Sequence, residues 1–354
     1  MLSQTGTLYN YTFKMKRKSI IFLSIIGLVF LLLCGAAGLV IFGPNTLNRT
    51  AVSVTVPRNA DYEQLLDTLE SHGILRSETT FFMVSKAMRF KTVRVGHYTV
   101  TPNMSNYKLV RLLRTGQHYP VRFSFNNVRT LDQFAERASN TFFFSKEELQ
   151  ALLYDPEFLK KYNMNVFTCP AMFIPNSYEF YYDVTPEDFV NRMFRYYQLF
   201  WDKNRLEQAE TIGLTPVEVV TLASIVEEEN SRPAEKAVIA GLYMNRLKKN
   251  MLLQSDPTVK FALRDFSRQR ILNADLQIDS PYNTYKFKGL PPGPIRFPEA
   301  STVDSVLHYA HHNYLYMCAK EDFSGFHNFT PSASQHARNA MLYRAALNRR
   351  NIKR

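Results

Sequence analysis

The run Leu222–Asn230, LASIVEEEN, closes an apolar stretch with three consecutive glutamates, Glu227, Glu228 and Glu229. Adjacent carboxylates repel one another and add little to a core. Either they are a solvated helix end, or one of them is held where chemistry needs an acid. On a helix about 100° separates successive residues, so the three fan around the axis. Glu227 follows Val220, Ala223 and Ser224 along its stripe, beside small side chains. Glu228 points most nearly away from the Leu222/Val226 face and is expected in solvent. Glu229 aligns with Leu222, Ile225 and Val226 and is expected to be partly sheltered. A carboxylate beside an apolar face loses hydration, which raises its pKa and keeps a proton available near neutral pH. A general acid needs that property. Periodicity by itself favours ordinary surface charge. Acids at a helix C-terminus oppose the helix dipole, however, and the cluster asks for another reason to exist.

The elements around the run are well marked. Thr215 is an N-cap, Pro216 sits at the first helical position and Glu218 completes a capping box. Val219, Leu222, Ala223 and Val226 make a core-facing stripe, and Pro233 stops the helix from running far. A further helix reaches about Asn250, and the chain turns through QSDP, with Asp256-Pro257 as cap and first residue of the next helix. The segment DSPYNTYKFKGLPPGPIRFP is a long loop stiffened by five prolines. Gln254, Tyr282, Asn283 and Tyr285 lie on these rigid turns, where they could line a groove. Aromatic rings beside amides and hydroxyls suit sugars, whose faces are apolar and whose rims are hydroxyls. Any one of them could equally serve turn chemistry.

Ile20–Phe42 is uncharged over about 23 residues, long enough to span a bilayer, with Lys14, Lys16, Arg17 and Lys18 directly before it. The positive-inside tendency puts that end in the cytoplasm and the rest outside. The run exceeds a signal-peptide core and no small-x-small cleavage site follows; Leu33 before Cys34 argues against lipoprotein processing. Composition is globular, at 45% hydrophobic and 21% charged. A net charge of +12 outside a membrane fits an anionic envelope polymer or lipid surface better than nucleic acid, or simply reflects solubility. Cys169 and Cys318 could pair or stay free, and nothing in the spacing suggests zinc. Beyond the span, Val52, Val54 and Val56 alternate as a strand, Asp61 caps a helix, a second helix follows, and a strand–turn–helix unit ends at Gly116. The second half reads as α-rich with short strands, including a helix from Thr185-Pro186.

LASIVEEEN, MNRLKKNMLLQSDPTV, SPYNTYKFKGLPPGPI and HNFTPSASQH together resemble the endolytic murein transglycosylases of the YceG-like family. The resemblance implies an α+β chain: a cytoplasmic tail (1–18), a transmembrane helix (19–43), a LysM-like module (50–118) and a catalytic domain (119–354). It implies one catalytic glutamate, the first acid of the S-I-V-E-x-E run, here Glu227, with Glu229 in support. Gln254, Asp256, Tyr282, Asn283, Thr284 and Tyr285 match its groove motifs. PAMFIPNSYEF departs from the family's G-x-F-x-P-D-T-Y element at Ala171 and Asn176, so no chemistry is carried over there.

The implied reaction cleaves the glycan between N-acetylmuramic acid and N-acetylglucosamine without water, leaving a 1,6-anhydro end, on nascent strands at the plasma membrane. Cell-wall synthesis proteins are expected partners; no metal or cofactor is expected. A hydrolase would need a second carboxylate, for which Asp256 is the candidate. A wall-binding or division-scaffold protein would need none.

Overall fold

The computed structural model describes residues 5–57, 60–90, 93–116, 119–230, 232–268 and 271–350. The first four residues of the expected tail, and Gln117 and His118 at the expected module boundary, lie outside them. Helix α1 (Thr5–Phe42) carries the apolar run. Its Ile20–Phe42 portion has a mean hydropathy of 2.9 over 23 residues, enough by length and composition to cross a membrane.

Two compact units follow from the pattern of contacts: residues 1–121 with 181–183, and residues 122–180 with 184–354. In the first, α1 is followed by β1 (Val52–Val56), α2 (Tyr62–Ser71), α3 (Glu78–Ala87), β2 (Gly96–Val100) and α4 (Asn106–Thr115). β1 and β2 pair antiparallel, Val52 opposite Val100 and Val56 opposite Gly96. The alternating valines behave as strand residues should, with Val54 and Val56 buried against Leu65, Leu69, Phe81, Leu109 and Leu113. Asp61 and Gln64 close a full capping box on α2. Gly116 ends α4 at φ 69°, a left-handed conformation that costs glycine little.

The second unit is helix-rich. In order it contains β3 (Val121–Ser124), α5 (Leu131–Ser139), α6 (Lys146–Leu153), α7 (Pro156–Lys160), β4 (Ser177–Phe180), α8 (Pro186–Phe200), α9 (Lys203–Ile212) and α10 (Pro216–Glu229). Then come α11 (Pro233–Lys248), α12 (Asp256–Leu263), α13 (Ala300–Leu307), β5 (Tyr316–Ala319), β6 (His327–Thr330) and α14 (Ala333–Arg349). β3 pairs with β4, and β5 with β6 in antiparallel register. Packed phenylalanines hold one side, with Phe134 4.3 Å from Phe173 and 5.4 Å from Phe297, ring to ring.

Helix α10 is the centre of this unit. Every residue from Val219 to Glu227 is buried, not one stripe of it. The expected single apolar face is therefore too narrow: α11, α12 and α13 pack around α10, which accounts for the small and β-branched residues all round it. Its N-terminus is as the sequence predicts, with Thr215 and Glu218 forming the capping box and Pro216 at the first position. Ser255, not Asp256, is the N-cap of α12, one residue from the expected position. Cys169 and Cys318 are free thiols, and burial pushes the Cys169 thiol far up.

Candidate active site

The three glutamates at the end of α10 meet three different surroundings. Glu227 turns inward and is only 8% exposed. Its Oε2 accepts from the Glu299 amide at 2.9 Å and from the Thr302 hydroxyl at 2.5 Å, both at the start of α13. Lys236 of α11 stands 3.7 Å away and Arg296 of the proline-rich loop 3.2 Å away. Arg296 Nε is at ion-pair distance but is not directed to make a hydrogen bond. Glu227 is thus enclosed by two cations and two donors, and it is not among the residues that line the groove described below.

Glu228 does not point into solvent. Arg129 grips it through two contacts, Nε to Oε1 at 2.9 Å and Nη2 to Oε2 at 3.2 Å. Arg296 Nη1 adds a third at 2.9 Å. The expectation of a solvated side chain fails because periodicity gives a direction around the axis, not what faces it.

Glu229 opens onto a groove. It lines a cavity of about 390 Å³ with Tyr243, Arg246, Gln254, Asp256, Tyr285, Tyr316 and His336. One carboxyl oxygen accepts from the Tyr243 and Ser255 hydroxyls, each at 2.6 Å. Burial raises the pKa of Glu229, opposed by those two hydrogen bonds and reinforced by the nearby negative charge of Asp256. No Lys or Arg forms an ion pair with it among the described residues. A carboxyl that is desolvated, without a cation in ion-pair contact and open to a groove holds its proton to higher pH than an exposed one, and is placed to deliver it.

The predicted groove residues divide. Gln254, Asp256 and Tyr285 line the cavity, and the Tyr285 hydroxyl donates to Asp256 Oδ1 at 2.6 Å. Burial and that carboxylate raise the Tyr285 phenol. Gln254 adopts φ 52° and is held by its amide to Thr284 O at 3.1 Å. Tyr282, Asn283 and Thr284 do not line it. Tyr282 packs its ring 4.6 Å from Phe261, and burial pushes its phenol up to about 12. The Asn283 side chain ties the loop together by donating to Leu276 O and Ile278 O, both at 2.9 Å. Thr284 Oγ1 accepts from the Ser255 amide at 3.0 Å. These three hold the turn that presents their neighbours, the turn-chemistry alternative open at the sequence level.

Tyr243, Ser255, Arg246, Tyr316 and His336 were not singled out from the sequence. The spacing Glu229–Tyr243 spans two helices, and no local period reveals it. Tyr316 and His336 stack at 5.4 Å and 23°, with the Arg246 guanidinium 5.4 Å from the Tyr316 ring centroid. This gives the groove an aromatic wall. Arg246 itself donates to the Leu315 and Leu253 carbonyls at 2.7 and 2.9 Å, tying α11 to the segments that carry the wall. A second cavity of about 490 Å³, lined by Arg137, Asn176 and Glu299 among others, includes none of the glutamates of α10. It fits the chemistry less well than the groove at Glu229.

Comparison with known proteins agrees on one family. The model of the YceG-like family matches residues 54–341. An endolytic murein transglycosylase of Bacillus subtilis (strain 168) is 29% identical over 305 residues, covering 82% of this chain and 84% of that protein. One from Streptococcus pneumoniae serotype 2 is 27% identical over 301 residues; these make up 76% of this chain but 54% of that longer relative. A crystal structure of a yceG-like protein from Listeria monocytogenes superposes with a TM-score of 0.56 at 26% identity, covering 82% of this chain and 99% of that one.

Proposed function

The chain belongs to the YceG-like family, and from that membership we propose that it is a membrane-anchored lytic transglycosylase, a lyase that cuts peptidoglycan glycan strands internally. The observation that carries the reading is Glu229: a desolvated carboxyl with a raised pKa, open to a groove with an aromatic wall. We assign the acid–base role to Glu229 and a supporting, structural role to Glu227, reversing the order that the motif suggests. Lys236, Arg296, Thr302 and the Glu299 amide already engage the Glu227 carboxylate, and Glu227 is not on the groove lining, which supports a structural role for it.

The steps balance on one carboxyl. Glu229 gives its proton to the glycosidic oxygen as the bond from C1 of N-acetylmuramic acid breaks. The resulting carboxylate takes the proton of the 6-hydroxyl as that oxygen bonds to C1, closing the 1,6-anhydro ring. The nucleophile is part of the substrate and already close, and Glu229 ends protonated as it began. Tyr243 and Ser255 support the carboxylate between the two steps. Gln254, Asp256 and Tyr285 offer polar contacts, and Tyr316 and His336 a stacking surface for sugar rings. Ile20–Phe42 anchors the enzyme in the plasma membrane with its C-terminal part outside, where nascent strands emerge. Residues 50–118 form the LysM-like module and 119–354 the catalytic domain.

Asp256 in the same groove gives one specific footing to hydrolysis, since it could activate a water. Digestion of purified peptidoglycan with the full chain separates the readings by mass. Ends one water lighter than reducing ends, lost in Glu229→Gln, are expected. Reducing ends would establish a hydrolase, and no product from folded protein would leave a binding or scaffold role.

A further inference from the structure

The first unit is built onto the end of the apolar helix with almost no linker. Val40 and Ile41 pack against its core. The Asn106 side chain donates to Val40 O at 2.9 Å inside α1, and accepts from the buried Asn45 at 2.6 Å. Asn45 is tied further, to Met104 O and to both the amide and the carbonyl of Ser77. Thr46 pairs with Leu75 in a β-bridge and Pro44 with Ser105. Helix and module therefore form one piece.

That attachment fixes a depth. At about 1.5 Å per residue the Ile20–Phe42 run reaches roughly 35 Å, a little more than the hydrocarbon core, so Phe42 lies at its edge. The exposed Tyr107 ring stands 5.7 Å from the Phe42 ring, the level where interfacial aromatics sit. Tyr107 is the second residue of α4, whose buried Leu109, Val110, Leu112 and Leu113 face the core while Lys108 and Arg111 are exposed. α4 contains no acid. Charge in the module is lopsided: its five acids all lie from Asp61 to Glu78, whereas seven Lys and Arg and no acid occur from Lys86 to Val121.

We propose that the module is seated on the membrane surface, with Tyr107 at the interface and Lys108 and Arg111 of α4 binding anionic phospholipid headgroups. This rests on the reading that Ile20–Phe42 crosses the bilayer. An anionic surface attracts cations within about a Debye length, roughly 10 Å. Arg111 lies one helical turn beyond Tyr107 and is within that reach.

The test uses the full chain in vesicles of phosphatidylcholine, with or without phosphatidylglycerol, whose acyl chains are brominated near the headgroup or near mid-chain. Tryptophan is introduced as Leu31→Trp or Tyr107→Trp, and the signal of the native Trp201 in the parent chain is subtracted. The expected result is quenching of Leu31→Trp by mid-chain bromine in both lipids. Tyr107→Trp should be quenched by the shallow bromine, more strongly with phosphatidylglycerol, and lose that extra quenching when Lys108→Gln and Arg111→Gln are added. Both glutamine sites are exposed, so an unchanged melting curve is expected and serves as the folding control. A quenched Leu31→Trp with unquenched Tyr107→Trp would overturn the seat. Equal shallow quenching in both lipids would overturn the headgroup site. An unquenched Leu31→Trp would overturn the spanning helix beneath both.

Discussion

Glu229→Gln and Glu227→Gln remove the same charge from the same helix, two residues apart, and should fail in different ways. Glu227 is the only carboxylate within ion-pair distance of the buried Lys236 among the described residues. Deleting one partner of a buried pair costs about 3–5 kcal/mol, because the other charge is left uncompensated. For a unit of this size each kcal/mol lowers the melting temperature by about 2–4 °C. Glu227→Gln should therefore melt roughly 6–20 °C lower, while the fraction still folded at assay temperature retains cleavage. Among the described residues Glu229 is hydrogen-bonded only by two neutral hydroxyls, and a glutamine oxygen can accept from both. Glu229→Gln should not lower the melting temperature at neutral pH, and should lose about 10²–10⁴-fold in rate, the contribution of a positioned acid–base. Stability should also depend differently on pH. Burial raises the folded-state pKa of Glu229 above that of the unfolded chain, so the folded form keeps this proton longer. Its contribution is greatest below the ordinary carboxylate pKa and falls as pH rises from there to the raised value. Glu229→Gln should remove that decline. Product masses and thermal melts of the two variants decide the matter. Full activity in Glu229→Gln, or no product from Glu227→Gln at an unchanged melting temperature, would return the acid role to Glu227.

Three other outcomes follow from the same geometry. Tyr243→Phe deletes a donor that stabilises the Glu229 carboxylate, so the alkaline limb of kcat/KM should move to higher pH; an unchanged or lowered limb in the pH profile would refute the contact. Glu228→Gln should cost about 1–3 kcal/mol in denaturant unfolding, because it weakens charge-assisted bonds to Arg129 and Arg296, whereas a solvated glutamate would cost only a few tenths. Gly293→Ala would place a methyl 1.8 Å from the Phe167 carbonyl oxygen; the loop must shift, and a drop in both melting temperature and activity is expected, with neither changing if the approach is not that close.

What was legible in the sequence is mostly punctuation. Thr215, Thr185 and Asp61 cap helices where their side chains can reach a free amide three residues on. Gly116 ends α4 because it alone adopts a left-handed backbone cheaply. These are local rules, and they hold. The fates of the three glutamates are not local. Arg129 lies 99 residues from Glu228, Thr302 lies 75 from Glu227, and Ser255 lies 26 from Glu229. Periodicity separates their directions, and it correctly sheltered Glu229. It could not supply the cations that pair with Glu227 and Glu228, nor show which of the three glutamates lines the groove; the choice of Glu227 came from the resemblance and not from periodicity. The same limit explains the groove: Tyr285 and Asn283 share one turn, but one faces the cavity and the other braces the loop.

Gln254 stands at φ 52°, where an L-residue is strained and glycine is not. Its side chain is nonetheless on the cavity wall, with Oε1 3.3 Å from Arg246. The position marks a conflict between durability and work. Gln254→Gly should relax the backbone and raise the melting temperature, partly offset by the entropy glycine adds to the unfolded chain, while removing a groove contact and lowering turnover. Selection for heat resistance alone would be expected to find that substitution, and selection for cutting to reject it. A glycine variant that is both hardier and as fast would show that the amide is not used.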